Sequence, residues 1–515
     1  LDNAGAYSAV ALLDGATTAE LASPVLASGS VAVAADSRAA ASAATKSFGL
    51  GLLAVGVSVV DAEVRAAAAA RASILSSVRS SGAVSVTAAA ANAATATTDA
   101  ASIGLVSVGV SIPTAAIAAA TRAELRAGLD AQGLSVVATG TNTATTTVAL
   151  VSVGVVSGSG AGAVAEVRDT ATVIAEVAAG TASVLAGTGA LVVRATSTNT
   201  ATASAKGTSG ALVGVQGLVS SARVDAATRA LVAAGPVTSG AATVAASAGN
   251  SVDATTDIFG IAVIGISGVP GLTDAGSAAK AIVGTAAEVR AAVAAGTSLA
   301  ATGVLTVSAT TREGSGAHAT LGSGSGGGVD IGGFYAQALV QAPVTATYDG
   351  DVTAARGVAV TANGRADVTA SVSATSIALG SIAGGAVDAE VQTTADVTAR
   401  YGTGVLVLTS GTVTIAAVVD NDVTATTDMV GGGVVVVGVS VPTARIDAST
   451  TADFGGRLTG GTGLGVRATA DNTVTATSGA RAYAGIGVTS SSAAAIVSSD
   501  AVTQARILSG ATVDA

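Results

Sequence analysis

Hydrophobic and polar residues alternate along most of this chain. Between residues 142 and 195, segments 148–156, 163–168, 172–177 and 191–195 follow a period of two and are rich in Val, Thr and Ile. A period of two places successive side chains on opposite faces of a β-strand, and β-branched residues suit such a pleated surface. Gly, Asn and Ser occupy the breaks, where turns favour them. The pattern predicts about six short strands within this stretch.

The same order of segments recurs along the whole chain at intervals of about 54 residues, a period that signals a solenoid. We therefore predict an all-β fold, a parallel β-solenoid (β-helix) of about nine repeats that forms one continuous array over residues 1–515 and is incomplete at both ends. An Asn or Asp followed by alternating Thr and Ala introduces most repeats. The expected repeat starts are residues 36, 92, 142, 199, 250, 311, 363, 421 and 472, namely Asp36, Asn92, Asn142, Asn199, Asn250, a degenerate copy near Thr311, Asn363, Asn421 and Asn472.

Two coil geometries fit a repeat of this length. One has two coils of about 27 residues with three strands each, and the other has one wide coil with a side sheet. We favour two coils, because that coil size is usual in the right-handed β-helices that the chain resembles. Pro113 and Pro442 are expected to end strands, and the Gly/Ser-rich stretch 314–328 is expected to be a surface loop.

The composition restricts the possible partners. Charged residues make up only 11% of the chain and the net charge is −10, which argues against binding to nucleic acid or an anionic membrane. Uncharged stretches such as 100–121 contain Ser, Thr, Gly and Pro, so we expect no membrane insertion. Aromatic residues make up only 2%, which suits a core of thin layers of small side chains. With no cysteine, stability must come from packing and hydrogen bonds.

Two kinds of residue are candidates for structural ladders. The Asn at the start of a repeat resembles the Asn that stacks inside β-helix turns, although an ordinary turn Asn is equally consistent. The two Thr of a Thr-x-Thr stretch point to the same side of a strand, so that stacked copies would form a row of hydroxyls. The candidates are Asn92, Asn142, Asn199, Asn250, Asn421 and Asn472, with Thr95, Thr97, Thr143, Thr145, Thr424, Thr426, Thr475 and Thr477.

Little in the sequence favours catalysis. His318 is the only histidine, and without cysteine neither a zinc site nor thiol chemistry is expected. The Glu63-Val64-Arg65 triplet recurs and should place Val inside and both charges on the surface. We predict no catalytic, cofactor-binding or metal-binding residue, no cofactor, and a protein that is not an enzyme.

The repeats resemble the β-solenoid regions of large secreted bacterial surface proteins, the filamentous-haemagglutinin-like and autotransporter-type adhesins. The resemblance lies in the Asn-Thr-Ala-Thr starts, in runs such as residues 151–155, and in closing segments such as 303–309, and it covers the whole chain. It implies a location outside the cell or on the bacterial cell surface.

We therefore expect a structural function, as the stalk or fibre-forming part of an adhesin or of a cell-surface filament or matrix protein. The expected partners are neighbouring repeats, further copies joined end to end, or polysaccharide of the cell surface or extracellular matrix. One alternative is a carbohydrate- or surface-binding module, either with an ice-binding Thr face or with exposed aromatics at Phe334, Tyr335, Tyr348 and Tyr401. The least favoured alternative is a polysaccharide-degrading β-helix enzyme.

Overall fold

A computed structural model describes residues 3–267 and 277–515. The described strands form three sheets in which neighbouring strands are parallel, and successive turns of the chain stack on one another. The predicted parallel β-solenoid is therefore confirmed. The only helical segment in these residues is a 3₁₀ turn at Ala66–Ala68. No helix in the described part of the chain has the length and apolar character needed to cross a bilayer.

The first sheet, here called the long sheet, contains strands of up to 35 residues. Its strands are Asn3–Leu13, Val31–Val64, Val84–Ile117, Leu134–Val167, Leu191–Val224, Ala242–Ser267, Ser277–Val283, Val304–Thr311, Gly316–Val340, Gly357–Val391, Thr412–Ile446, Gly463–Ser491 and Ala494–Val497.

The other two sheets have ten short strands each. The second sheet contains Thr17–Leu21, Ala70–Ile74, Thr121–Leu125, Val173–Val177, Thr228–Val232, Val289–Val293, Val344–Tyr348, Val397–Tyr401, Thr450–Phe454 and Thr503–Ile507. The third contains Val25–Ala27, Val78–Ser80, Leu129–Asp130, Val184–Leu185, Pro236–Ser239, Ser298–Ala301, Asp351–Ala355, Val405–Leu408, Arg457–Gly460 and Thr512–Asp514.

Each repeat forms one wide coil. Leu134 pairs with Val84 in the coil before it and with Leu191 in the coil after it, one full repeat away in each direction. The preferred arrangement of two coils per repeat is therefore wrong. The physical reason is that most segments predicted as separate short strands belong to one continuous strand, such as Leu134–Val167, so a coil needs a whole repeat to close.

The local predictions for proline and for the Gly/Ser-rich stretch are also wrong. Pro113 does not end a strand, because Val84–Ile117 continues through it, and Pro442 lies within Thr412–Ile446 in the same way. The stretch predicted as a surface loop lies mostly in Gly316–Val340, which pairs with the coils on both sides. Neighbouring backbones supply the hydrogen bonds there, so the low strand propensity of Gly and Ser is overridden.

Each described strand of the long sheet with 25 or more residues folds back on itself at a corner. In the third layer, Gly104 pairs with Gly51 and Val106 with Leu53, while Leu105 is left out of the ladder at the turn. We call the part before the corner the outbound arm and the part after it the return arm. About 20 extended residues give the outbound arm a length of about 65 Å, whereas ten stacked layers rise by only about 45 Å. This solenoid is therefore broader than it is tall.

Two hydrophobic cores lie side by side within each coil. The first core is enclosed by the start of the outbound arm and the two short sheets, with Val86, Leu125 and Leu129 as examples. The second core lies between the outbound and return arms, where Ala94 packs with residues such as Ile117. Small side chains fill the second core because the two arms run close together.

Three aromatic rings stack in the first core along the solenoid axis. The ring centroids of Tyr348 and Tyr401 are 5.3 Å apart, and those of Tyr401 and Phe454 are 5.6 Å apart. Tyr348 donates a hydrogen bond to the Asp351 carbonyl and Tyr401 to the Val405 carbonyl, both at 3.1 Å. Burial raises the pKa of both Tyr hydroxyls, which are therefore neutral donors at physiological pH.

The Tyr401→Ala substitution should lower the free energy of unfolding by about 3–5 kcal/mol, because it leaves a cavity between two rings. The Tyr401→Phe substitution keeps the stack and loses one hydrogen bond, so it should cost about 1 kcal/mol. Urea unfolding followed by far-UV circular dichroism measures both. Equal losses in the two variants would contradict a role for ring stacking.

Candidate functional surface

A column of Asn side chains runs along the inner face of the outbound arm, between the two cores. The Nδ2 atom of Asn92 donates to Oδ1 of Asn142 at 2.9 Å, Asn142 donates to Asn199 at 2.8 Å, and Asn199 donates to Asn250 at 2.8 Å. A second run joins Asn421 to Asn472 at 3.0 Å. Each buried amide is thereby paired with its equivalent in the neighbouring coil, which favours strict register.

The Asn column is interrupted in the middle of the solenoid. Ala366 stands opposite Asn421, and the backbone N–H of Asn250 donates to the Ser315 hydroxyl at 3.3 Å. A cavity of about 30 Å³ lies at this gap and is lined partly by Asn250, Ser315, Ala366 and Asn421. Asn363, expected at a repeat start, lies three positions before Ala366 and therefore outside the column.

Asp36 is displaced from the column in the same way. Asn92 stands opposite Ala39, so Asp36 lies three positions earlier on its strand. The sequence signal for a repeat start, a polar residue before a Thr/Ala stretch, therefore marks the region of the column and not always the stacked residue.

The Thr candidates lie on the outer face of the outbound arm. Thr95 stands beside Thr145, and Thr145 beside Thr202, in consecutive coils. Asp253 occupies the next place in this row and interrupts it. The other candidates form shorter rows, in which Thr97 neighbours Thr147, Thr143 neighbours Thr200, Thr424 neighbours Thr475 and Thr426 neighbours Thr477.

Acidic and basic side chains lie along the return arm and the second sheet. The carboxylate of Glu124 is fully buried, and it accepts hydrogen bonds from Arg71 at 3.0 Å and Arg126 at 2.7 Å. Arg168 contacts Glu63 from two coils away, in addition to Glu166 in its own coil at 3.5 Å. The charges of the Glu-x-Arg triplets thus join different coils, a role that sequence spacing did not reveal.

A cluster of carboxyl groups lies farther along the solenoid axis, with Asp388 and Glu390 on the return arm of one coil and Asp447 just after the return arm of the next. Burial raises the pKa of Asp388 and that of Glu390, and the neighbouring Asp447 raises the pKa of Glu390 further. Burial disfavours the charged form of Asp447, but hydrogen bonds from Ser498 and Arg445 hold its pKa below the usual range. Carboxyls with separated pKa values are the arrangement used in acid–base catalysis. Here Gln392 donates to Glu390 at 3.0 Å and Arg445 donates to Asp447 at 2.7 Å, so both groups are held by neighbours.

The aromatic stripe expected for a binding module is not formed by the residues proposed for it. Tyr348 and Tyr401 are fully buried and Phe334 is nearly so, because all three point into the cores. Tyr335 is half-buried, and burial raises its pKa to about 12. Alternation on a strand determines which face a residue takes, and clustering in sequence could not reveal it.

No group of three His, Asp or Glu side chains in the described ranges is close enough to hold a metal ion. His318 lies on the outbound arm opposite Asp253 and Thr369 in the adjoining coils.

Comparison with known proteins identifies no relative of this chain. No protein-family model, no curated protein and no solved structure matches the chain.

Replacing Asn142 with Ala should lower the free energy of unfolding by about 2–5 kcal/mol, because the amides of Asn92 and Asn199 each lose a buried partner. The matched control is Thr143→Ala, one residue along on the outer face, which should cost less than about 1 kcal/mol. The two denaturation midpoints provide the comparison. Equal effects would show that the amide column contributes nothing specific.

The carboxyl cluster predicts a pH-dependent effect of Glu390→Gln. A carboxyl group whose pKa is raised on folding destabilises the fold above that pKa, and this cost disappears in acid. The substitution should therefore raise the urea midpoint at pH 7.5 and leave it nearly unchanged at pH 3.5. The control Glu313→Gln removes the charge of a side chain that is 86% exposed, and it should alter neither midpoint. A gain of equal size at both pH values would contradict the assignment.

Proposed function

We propose that this chain is a structural segment of an extracellular bacterial protein, the stalk or fibre-forming part of an adhesin or of a cell-surface filament. The observation that carries this proposal is the unbroken register between long strands. Each residue of Leu134–Val167 has a partner in the coil on either side, apart from Gly154 and Val155 at the corner and Gly162 and Ala163 later in the strand. Such a ladder resists stretching along the axis, because separating two coils breaks many backbone hydrogen bonds together.

The proposed location rests on the style of the repeats and on composition. Small-residue β-solenoid repeats are typical of exported bacterial surface proteins, which the chain resembles. Stability through packing and amide columns, without a cysteine in the chain, is compatible with either side of a membrane. The proposed partners are adjoining repeats or copies joined end to end, since a parallel ladder of coils can be extended by pairing with further strands of the same kind.

A carbohydrate- or surface-binding function is the second candidate, and one observation favours it. Phe48, Phe259 and Tyr483 are at least half exposed, and all three lie near the fold-back corners. Exposed aromatic rings are suited to stacking on sugar rings. Binding to a panel of cell-surface polysaccharides, lost on Phe259→Ala, would support this candidate. A polysaccharide-degrading activity is the least favoured alternative. Its catalytic site would be the cluster of Asp388, Glu390 and Asp447.

Pulling a single molecule by its two ends tests the structural proposal. A solenoid unravels by successive loss of units that contact only their neighbours. Each step should release one coil of roughly 53 residues, an increase in contour length of about 180 Å. One all-or-none event at low force would contradict a role in carrying tension, even though the fold itself would stand.

The proposed location has a separate test. Protease treatment of intact cells that produce the whole protein should degrade this segment while a cytoplasmic marker survives. Complete protection of the segment in intact cells, with cleavage only after lysis, would overturn the extracellular proposal.

A further inference from the structure

The fold-back corners have a polar interior. Ser107 and Ser152 lie on opposite arms with their hydroxyl oxygens 2.8 Å apart, and both are buried. Farther along the axis, the buried carboxylate of Asp330 accepts hydrogen bonds from Ser325 and, at 2.7 Å, from Ser376. The space where two arms meet therefore contains hydroxyls and one carboxylate in several coils, whereas Ala54 and Val436 occupy the equivalent inward positions in two others.

The outer surface of the same corners is apolar. Three rows of side chains along the solenoid axis form it, and we call them the hydrophobic ridge. The corner row contains Leu52, Leu105, Val155, Leu212, Val263, Leu379 and Val434; the row after it contains Leu53, Val106, Val156, Val213, Ile264, Val329, Val435 and Ile486; the row two residues before it contains Leu50, Ile103, Val153, Ile261, Ile377 and Tyr483.

The ridge is strongly exposed and has no charges within it. Leu52 is 59% exposed, Leu212 55% and Leu379 67%. No Asp, Glu, Lys or Arg occurs in residues 47–60, 100–113, 150–163, 207–220, 374–387 or 429–442, which cross the corner in six coils. In the coils with inward serines, polar residues thus lie inside the corner and apolar residues outside, the reverse of the usual order in a protein in water.

The area of the ridge is large enough for a stable contact. Burying a whole Leu, Ile or Val side chain removes roughly 60–120 Å² from water, so a half-exposed one leaves about 45 Å². The three rows together therefore present about 1,000 Å², compared with the roughly 800 Å² that each partner contributes to a standard interface. A patch of this size on a protein surface indicates an interaction site.

The flank of the ridge carries charges that are already paired between coils. Lys46 lies 3.8 Å from Asp99, Lys206 lies 3.5 Å from Asp257, and Arg481 lies 3.6 Å from Asp428. Each pair is neutral, so two copies with a net charge of −10 can approach along this edge with little local repulsion. A lipid surface would instead be favoured by unpaired basic residues beside the apolar rows.

We propose that the hydrophobic ridge is the contact surface for a second copy of this chain, packed side by side with the ridges facing each other. The two ridges have the same spacing between coils, about 4.8 Å, so side chains of one copy can fit between the rows of the other. Gly326 and Gly328 leave a gap in the rows between Val263 and Leu379, which gives space for an apolar side chain of the partner. This association goes beyond the proposed structural function and does not depend on where the protein is located.

The first test compares two variants with four substitutions each. The ridge variant carries Leu52→Ser, Leu105→Ser, Leu212→Ser and Leu379→Ser, all at exposed corner positions. The matched control carries Leu26→Ser, Leu185→Ser, Val304→Ser and Val405→Ser, which remove exposed apolar side chains on or beside the third sheet. Sedimentation velocity over a range of concentrations measures the mass, and far-UV circular dichroism checks that each variant is folded.

Wild type and the control variant should sediment as two-chain particles. The dissociation constant of the ridge variant should be at least tenfold higher than that of wild type. A wild-type protein that remains a single chain at all concentrations would overturn the proposal. So would a ridge variant that is folded and associates as strongly as wild type.

A cysteine cross-link distinguishes side-by-side association from end-to-end stacking. The chain contains no cysteine, so Val263→Cys introduces a unique thiol at the middle of the ridge. A short bismaleimide should link two copies of Val263→Cys, but not two copies of Val304→Cys, which lies about 65 Å away at the start of an outbound arm. End-to-end stacking would separate the two introduced ridge thiols by about 45 Å and prevent the link. Flotation of uncross-linked Val263→Cys protein with phosphatidylcholine vesicles would overturn the proposal in favour of a lipid partner.

Discussion

The parallel backbone ladder between successive coils is the constraint on which the rest of this structure depends. Because Leu134–Val167 pairs with the coils on both sides over nearly its whole length, nearly every side chain of this strand lies directly above and below a fixed partner. A residue type that repeats at the right interval therefore forms a column. The Asn column, the Thr rows, the stack of Tyr348, Tyr401 and Phe454, and the hydrophobic ridge all follow from this one register.

The columns differ in what they contribute. The Asn amides are buried between the two cores, so a shift of one residue would leave them unpaired and would turn apolar side chains outward. The ion pairs such as Arg168 with Glu63 are partly exposed and contribute less. The exposed part of the ridge gains nothing within a single chain, because it is in water. Its regularity makes physical sense if its stabilising contacts are made with another molecule.

The period of the repeat and the period-two alternation predicted the solenoid and the rows of Asn and Thr, because both depend only on spacing. The number of coils per repeat could not be predicted in this way. A corner such as the one at Leu105 leaves a strand unbroken and is formed by apolar residues, so the sequence pattern does not mark where the chain folds back. The ridge was missed for a related reason. A run such as residues 151–155 resembles a core strand, and only the buried serines on its other face, such as Ser152, reveal that its Val residues point outward.

Electron cryo-microscopy of the purified protein at a resolution that separates neighbouring strands tests the central claim most directly. One coil per repeat predicts ten layers with a spacing of about 4.8 Å, and therefore a stack about 45 Å high and at least about 65 Å wide. About twenty layers in a narrow rod about 90 Å long would mean two coils per repeat, and would contradict the register on which the amide column and the ridge both depend.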